Sequence, residues 1–299
     1  MDRIAEMRTL VAVADAASFS EAAQRLGLSP PTVTRSIAAL ERRLGARLVA
    51  RTTRSLRLTE AGLQFVEDAR RALGEIEAAE QSAAGRHARA RGTLRLTAPV
   101  LFGEIHLLPL LRAFLDQYPE VQAEALLLDR VVNLVEEGLD VALRIGGDDD
   151  SGLESVPLGS VRRMLLAAPA YLQQHGTPQT PQDLGHHRIA MSVGASASRT
   201  WFFGAGANAT SVRIDPVLAV SSLRAAIDAA RAGWALTRAL SYQVQEDLAD
   251  GSLLPVLEAY EPPPLPVRLV YPASRRPSAR LMAFVELASE RIAAALRGL

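Results

Sequence analysis

The 299-residue chain contains no cysteine and no lysine. The first absence excludes disulfides, thiolate nucleophiles and cysteine metal sites. The second excludes Schiff-base catalysis and a P-loop lysine. All 33 basic residues are arginine, balanced by 33 acids. No apolar run reaches the ~18 residues of a membrane span, so no membrane partner is expected. The opening MDRIAEMRTLVAVADAASFSEA is broken by charges and lacks a signal peptide's plan, which gives a cytoplasmic expectation. Neither GxSxG nor HExxH occurs, and the serines of GASASRT have no partner base nearby in sequence. His186 and His187 are adjacent, so they do not share a helix face as metal-binding pairs do. Asp148, Asp149 and Asp150 read as a solvated loop. GAGANA at Gly204 has no helix pattern after it and reads as a loop, not a dinucleotide fingerprint. No catalytic residue, metal or cofactor is therefore expected.

What remains is a chain that is 48% hydrophobic, enough for about two domains. Its charge is unevenly spread. The first 60 residues hold ten arginines against six acids, a surplus of four. A basic module on a neutral protein points to an anionic partner. Ile4, Met7, Leu10, Val11 and Ala14 have helical spacing. Ser18 or Ser20 caps a short second helix that Gly27 ends. Ser29 caps a third, with Pro30 and Pro31 in its first turn, where backbone N–H groups have no intrahelical partner.

On this third helix Val33, Ile37, Leu40 and Leu44 form one stripe. Opposite lie Arg35, Ala38, Ala39 and Arg42, with Thr32 and Thr34 on the flanks. Small residues let a surface approach, arginines reach past them and threonines bond phosphate, which suits a major groove. ARLVARTTRSLRLT follows as two β-like runs around a tip bearing Arg51 and Arg54, the layout of a wing. A long helix starts after Thr59, with Val66, Ala69, Leu73, Ile76 and Ala83 near a/d positions, a seam for pairing two chains or for packing on its own domain.

From Gly92 strands alternate with helices: TLRLTAP, FGEIHLLPLLRAFLDQY, VQAEALLL, RVVNLVEEG and DVALRIG read as βαβαβ with a parallel sheet. RRMLLAAP, RIAMSV, TWFF, SVRIDPVLAV and the helix SSLRAAIDAARAG make a second set, and VRLVYP and a final helix, Arg280 to Leu296, follow EPPPLP. This is α/β architecture in two lobes with a cleft between them. Trp201, Phe202 and Phe203 read as core. Arg144 either faces the cleft or pairs with an acid, and the sequence leaves both open.

Over nearly its whole length the chain resembles the LysR-type transcriptional regulators. The resemblance is carried by SFSEAAQRLGLSPPTVTRSIAALERRLGARLVARTTRSLRLTEAG, GTLRLTAP, LPLLRAFLDQYPEV, DRVVNLVEEGLDVALRIG, AAPAYLQQHGTPQTPQDL and AAIDAARAGWALTRALSYQVQEDLADGSLLPVL. It implies an N-terminal winged helix-turn-helix over 1–59, a linker and dimerisation helix over 60–90, and over 91–299 a two-lobed α/β effector domain like type 2 periplasmic binding proteins. Lobe I is expected at about 91–162 and 268–299, lobe II at about 163–267. The implied partners are double-stranded promoter DNA, a small-molecule effector and further copies of the chain, as homodimer or homotetramer.

The expected DNA contacts are Ser29, Pro31, Thr32, Thr34, Arg35, Ser36, Arg42, Arg51 and Arg54, with Arg35 as the leading base reader. The expected seam is Val66, Ala69, Leu73 and Ile76. The expected effector wall is Val100, Leu101, Phe102, Gly103, Asp129, Arg144, Gly146, Ser221, Ser222 and Thr237. Helix N-termini near Phe102 and Ser222 favour an anion. Leu101 stands where many relatives have serine or threonine, which gives the expected acid an apolar body. Pro30 and Ser36 also depart from the family's usual residues. On layout alone a cytosolic small-molecule-binding or enzymatic α/β protein with an accessory helical domain stays as the alternative. The basic wing and the missing catalytic set favour the regulator.

Overall fold

Helices begin where the sequence supplies a side-chain acceptor. Asp2 caps α1 (Arg3–Ala16) by accepting the Ile4 N–H at 3.0 Å. Ser18 caps α2 (Phe19–Leu26) and Ser29 caps α3 (Pro30–Leu44). Each serine accepts the N–H three residues on, at 3.3 and 3.4 Å. Gly27 (φ 64°) and Gly45 (φ 67°) end α2 and α3 in the left-handed region, which costs glycine no Cβ strain. Val33, Ile37 and Leu40 pack with Leu10, Val13, Ala22 and Ala23 in one core. Leu44, expected on that stripe, is exposed.

This computed structural model describes residues 2–51, 56–84, 89–147, 152–193, 198–273 and 277–298. It divides into two compact units, one built on residues up to 89 and one on residues from 90 onward, two short stretches apart. In the first unit, β1 (Val49–Arg51) pairs antiparallel with β2 (Leu56–Leu58), Val49 opposite Leu58. The long helix α4 (Glu60–Ala84) follows. Its cap is Thr59, whose Oγ1 accepts the Gly62 N–H at 3.0 Å and donates to the Arg47 carbonyl at 2.6 Å.

The dimer seam expected along α4 divides. Val66 and Ala69 are 2% and 1% exposed within a single chain. Val66 belongs to the core shared with α1, so this part of the stripe is spent inside its own unit. Arg70 fastens the same turn to Asp15 of α1. Leu73 and Ile76 are only half-buried.

In the second unit, β3 (Gly92–Ala98) runs parallel to β4 (Val121–Leu127) and β5 (Val141–Ile145). β14 (Leu265–Pro272) then pairs antiparallel with β5 and with β6 (Leu153–Val161). The order is β4-β3-β5-β14-β6, a mixed sheet, because the late strand returns against the direction of the first three. Between β3 and β4 the chain coils through α5 (Val100–Phe102), a π-helical turn (Gly103–Leu107) and α6 (Leu108–Gln117). With α10 (Ala279–Leu296) these enclose a core in which Phe114 and Phe284 meet edge to face at 5.4 Å.

No helix forms at RVVNLVEEG. Residues 134–138 make turns instead, because Val132, Leu134 and Leu139 are drawn against Ala142 and Val270 of the sheet. That tertiary burial overrides the local helical spacing.

The second sheet centres on β7 (Arg163–Ala167), antiparallel to β12 (Thr237–Leu240) and β13 (Leu254–Val256). α7 (Pro169–His175) follows β7, and α8 (Leu223–Arg231) and α9 (Gln245–Asp250) flank β12 in the chain. β8 (Ala190–Ser192) pairs in parallel with β11 (Leu218–Val220), and β9 (Thr200–Phe203) forms a hairpin with β10 (Thr210–Arg213). Trp201 and Phe203 are buried, but Phe202, expected in the core, is 63% exposed. Alternation along a strand points it the other way. GAGANA forms a short 3₁₀ turn between β9 and β10, at Gly206–Asn208.

A Cβ at Gly62 would overlap the carbonyl oxygen of Leu48, which is backbone and cannot swing aside. Gly62→Ala is therefore expected to destabilise the first unit by about 1–3 kcal/mol through overpacking, although alanine is the better helix former. A urea melt followed by circular dichroism checks this. Equal or greater stability in the variant would refute the close approach.

Candidate functional site

The third helix presents a graded face. Ser29, Pro31, Arg35 and Arg42 are exposed, and Thr32 and Thr34 are half-buried. Ser36 is 7% exposed and lies with the buried stripe, three residues from Val33, so it does not reach the outer face expected for it. The hydroxyls of Ser29 and Thr32 are 2.8 Å apart, and Arg35 Nη2 donates to Thr32 Oγ1 at 3.4 Å. One small polar network thus holds the helix start and leans the arginine along it.

The next turns are structural. Arg43 donates to buried Glu6 at 2.9 and 3.2 Å. Glu41 Oε1 accepts the Leu48 and Val49 N–H groups at 2.8 and 3.1 Å, which fixes where the wing leaves the helix. Sequence reasoning missed Glu41; its only signal was an acid just ahead of four arginines. Arg51 ends β1, but its side chain and the whole of Arg54 lie outside the described residues.

The second unit contains a cavity of about 470 Å³. One wall comes from the ends of β3 and β5 with residues 128–132, and the other from Arg163 and Leu240 of the second sheet with Tyr242 and Gln243 of the 3₁₀ turn that follows it. Of the ten residues expected on the wall, Asp129, Arg144 and Gly146 are there. Arg144 lines the cavity while its Nη2 donates to the Val132 carbonyl at 3.2 Å.

The other seven are not on that wall. Val100 gives its N–H to Asp129 Oδ1 at 3.0 Å, so the helix pole is already capped by the chain's own carboxylate. Leu101 and Phe102 are buried in the core, and Gly103 packs on the Leu127 side chain. Ser221 is exposed, and Ser222 is spent as the α8 cap, accepting the Ala225 N–H at 3.4 Å. Thr237 is fully buried and donates to the Ala190 carbonyl at 2.9 Å, tying β12 to β8.

Sequence reasoning missed Arg163, Tyr242 and Gln243. The Arg162–Arg163 pair at a strand start was the available signal, since neighbouring strand residues face opposite ways. Burial pushes the Tyr242 phenol well above its usual range, and the Asp129 carboxylate adds to this. Arg130, Arg144 and Arg163 outnumber the acid Asp129 on the wall. No group of histidines and acids that could hold a metal exists among the described residues. Asp148, Asp149 and Asp150 lie outside them. His187 is half-buried, with Nδ1 3.3 Å from the Tyr171 hydroxyl.

Residues 4–63 match the family model for the bacterial regulatory helix-turn-helix protein, lysR family, and residues 87–293 match that for the LysR substrate binding domain. The chain is a LysR-type transcriptional regulator. It is 34% identical over 261 residues to the probable HTH-type transcriptional regulator LtrA of Klebsiella pneumoniae, covering 87% of this chain and 84% of that protein. It is 32% identical over 289 residues to the HTH-type transcriptional regulator CrgA of Neisseria meningitidis serogroup C, covering 96% of each. The solved structure of CrgA, a LysR-type transcriptional regulator from N. meningitidis, superposes with a TM-score of 0.62 at 31% identity, covering 96% of this chain and 98% of that one. The full-length structure of the Vibrio cholerae virulence activator AphB gives a TM-score of 0.61 at 24% identity, over 96% and 98% of the two chains, and speaks to the fold alone. LtrA and CrgA are named as regulators, not enzymes. The regulator thus joins a DNA-binding helix-turn-helix to an effector-binding domain. No helix among its described residues is long and apolar enough to cross a membrane.

His106 clusters with two aromatic rings, 4.7 Å from Phe102 and 5.7 Å from Tyr242, the second of which lines the regulator's cavity. Burial holds its pKa below 6.5. The unfolded chain takes up this proton near 6.5, and the folded chain takes it up only at lower pH. This contribution to stability is therefore present above 6.5 and is lost as pH falls through the folded value. The melting temperature should drop between pH 7.5 and 5.5, and His106→Gln should flatten part of that drop. His187, lowered for the same reason, keeps some slope in the variant. An unchanged slope in His106→Gln would remove His106 from the account.

Proposed function

We propose that this regulator reads promoter DNA as a dimer through α3 and the wing, and that a small organic anion with an apolar body, bound in the cavity of the second unit, modulates that binding. The cavity wall carries the reading. Three arginines against one aspartate give it a cationic lining, while Leu128, Val131, Val132, Leu143, Ile145 and Leu265 supply apolar surface. An anion is favoured there by guanidinium groups, since each of the two helix N-termini already gives an N–H to the chain's own acceptor, Val100 to Asp129 and Ala225 to Ser222. A ligand shifts the regulator between states only by binding them with different affinity. Promoter DNA places the work in the cytoplasm.

On DNA, Ser29, Pro31, Thr32, Thr34, Arg35 and Arg42 form the reading face, and Arg51 and Arg54 serve the phosphate backbone. Dimerisation falls to the later part of α4, where Leu73 and Ile76 remain half-buried in the single chain. Replacing both with aspartate should yield a monomer that binds DNA poorly, read by sedimentation. A double variant that stays dimeric would place the seam elsewhere.

The cavity is tested by melting the protein with carboxylates that carry an apolar body, benzoate first. The wild type should be stabilised by at least one of them, and Arg144→Gln should not. Equal stabilisation of both would place the ligand outside this cavity.

A further inference from the structure

Arg163 and Arg238 form a pair that no carboxylate described in the fold neutralises, Arg238 having only the face of Trp201. In the β7–β12 register, Leu240 stands opposite Arg163 and Arg238 opposite Leu165. The two arginines are therefore diagonal neighbours on one face of the sheet, within reach of long side chains. Both border one small void together with Phe203 and Glu261. Glu261, the acid at this spot, is engaged by Arg162, at 3.1 Å from Nε and 3.3 Å from Nη2. Arg238 lies over the Trp201 ring at 4.4 Å, and its Nη1 is buried without a hydrogen-bond partner among the described residues.

The cost of this arrangement is visible in both groups. Burial lowers the pKa of Arg163, and burial together with the Arg163 charge pushes Arg238 down to about 9. Two like charges side by side in a half-buried place are unfavourable unless an opposite charge joins them. A neutral residue would fill the same space without this penalty. Arg163 also lines the 470 Å³ cavity, while Arg238 stands behind it and borders a second void beside Trp201.

We propose that Arg163 and Arg238 form an oxyanion subsite that takes a phosphate or carboxylate group. The oxyanion accepts from both guanidinium groups and neutralises their repulsion. Its source is either the second acidic group of a ligand in the cavity or a free phosphate ion. Only the first source rests on reading that cavity as the effector site.

The reporter is Trp201, because the protein has two tryptophans and Trp234→Phe leaves Trp201 alone. Emission of the full-length Trp234→Phe protein is titrated with sodium phosphate and with sodium chloride at matched ionic strength. Heats of phosphate binding are read in parallel by calorimetry, since changing Arg238 also alters the ring's surroundings. Phosphate should give a saturable change and chloride none. Arg163→Gln should weaken phosphate about tenfold, the loss of one charge-assisted contact. Arg238→Gln should abolish the heats, and Arg238→Lys should retain weak binding and keep the test open if the glutamine variant misfolds. Identical, unsaturating responses to both salts mean an adventitious ion only and overturn the proposal, as do unchanged phosphate heats in Arg163→Gln.

A second arm compares succinate and glutarate with propionate and butyrate in the wild type and in Arg144→Gln. Dicarboxylates that bind more tightly than monocarboxylates, and that weaken in Arg144→Gln while phosphate does not, assign the subsite to a ligand spanning from the cavity. Phosphate that binds while dicarboxylates show no advantage assigns it to the free ion. If Arg144→Gln changes neither anion while phosphate binding stays intact, the cavity reading falls and the arginine pair stands.

Discussion

The backbone of Leu48 is the joint on which the first unit depends. Its N–H is held by Glu41 from the third helix, and its carbonyl accepts the Thr59 N–H at 2.9 Å. Gly62 of the long helix lies against the same carbonyl with no room for a Cβ. Third helix, wing and long helix thus meet at one residue, the third helix through the Glu41 carboxylate and the long helix through a backbone approach that leaves no rotamer to relax. An error there would tilt all three at once. The exposed face of α3 can be small and polar because its orientation is set behind it, by Glu41, by Arg43 on Glu6 and by the buried stripe.

Charge is handled in a consistent way in the second unit. Helix ends that could attract a foreign anion already carry one of the chain's own acceptors each, Asp129 at Val100 and the Ser222 hydroxyl at Ala225. Cationic character is moved to arginine side chains on the cavity wall. A guanidinium offers a planar fork of donors, which distinguishes a carboxylate from chloride better than a helix end does. With no lysine in the chain, every permanently cationic side chain has that geometry.

How much of this was legible in the sequence differed with the range of the interaction. Ser18, Ser29, Thr59 and Gly27 could be read because capping and left-handed turns are settled within a few residues. The stripe of α3 could be read from its period, apart from Leu44 and Ser36, where the neighbouring elements decide burial. RVVNLVEEG could not, since contact with Ala142 and Val270, distant in sequence, decided it. Val66 and Ala69 show the limit of an a/d pattern, which looks the same whether the partner is a second chain or α1. In the cavity, Asp129, Arg144 and Gly146 followed from strand ends. Arg163 and Tyr242 did not, because only the β7–β12 pairing brings them to the wall.

The central claim is that the exposed face of α3 reads DNA sequence. Selection of bound duplexes from a random pool, with wild type and Arg35→Ala in parallel, tests it most directly. The wild type should enrich two related half-sites at fixed spacing. The variant should lose preference at one position in each half-site and bind the wild-type consensus more weakly by about 1–3 kcal/mol. Enrichment of the same motif with the same preference by both proteins would contradict the account.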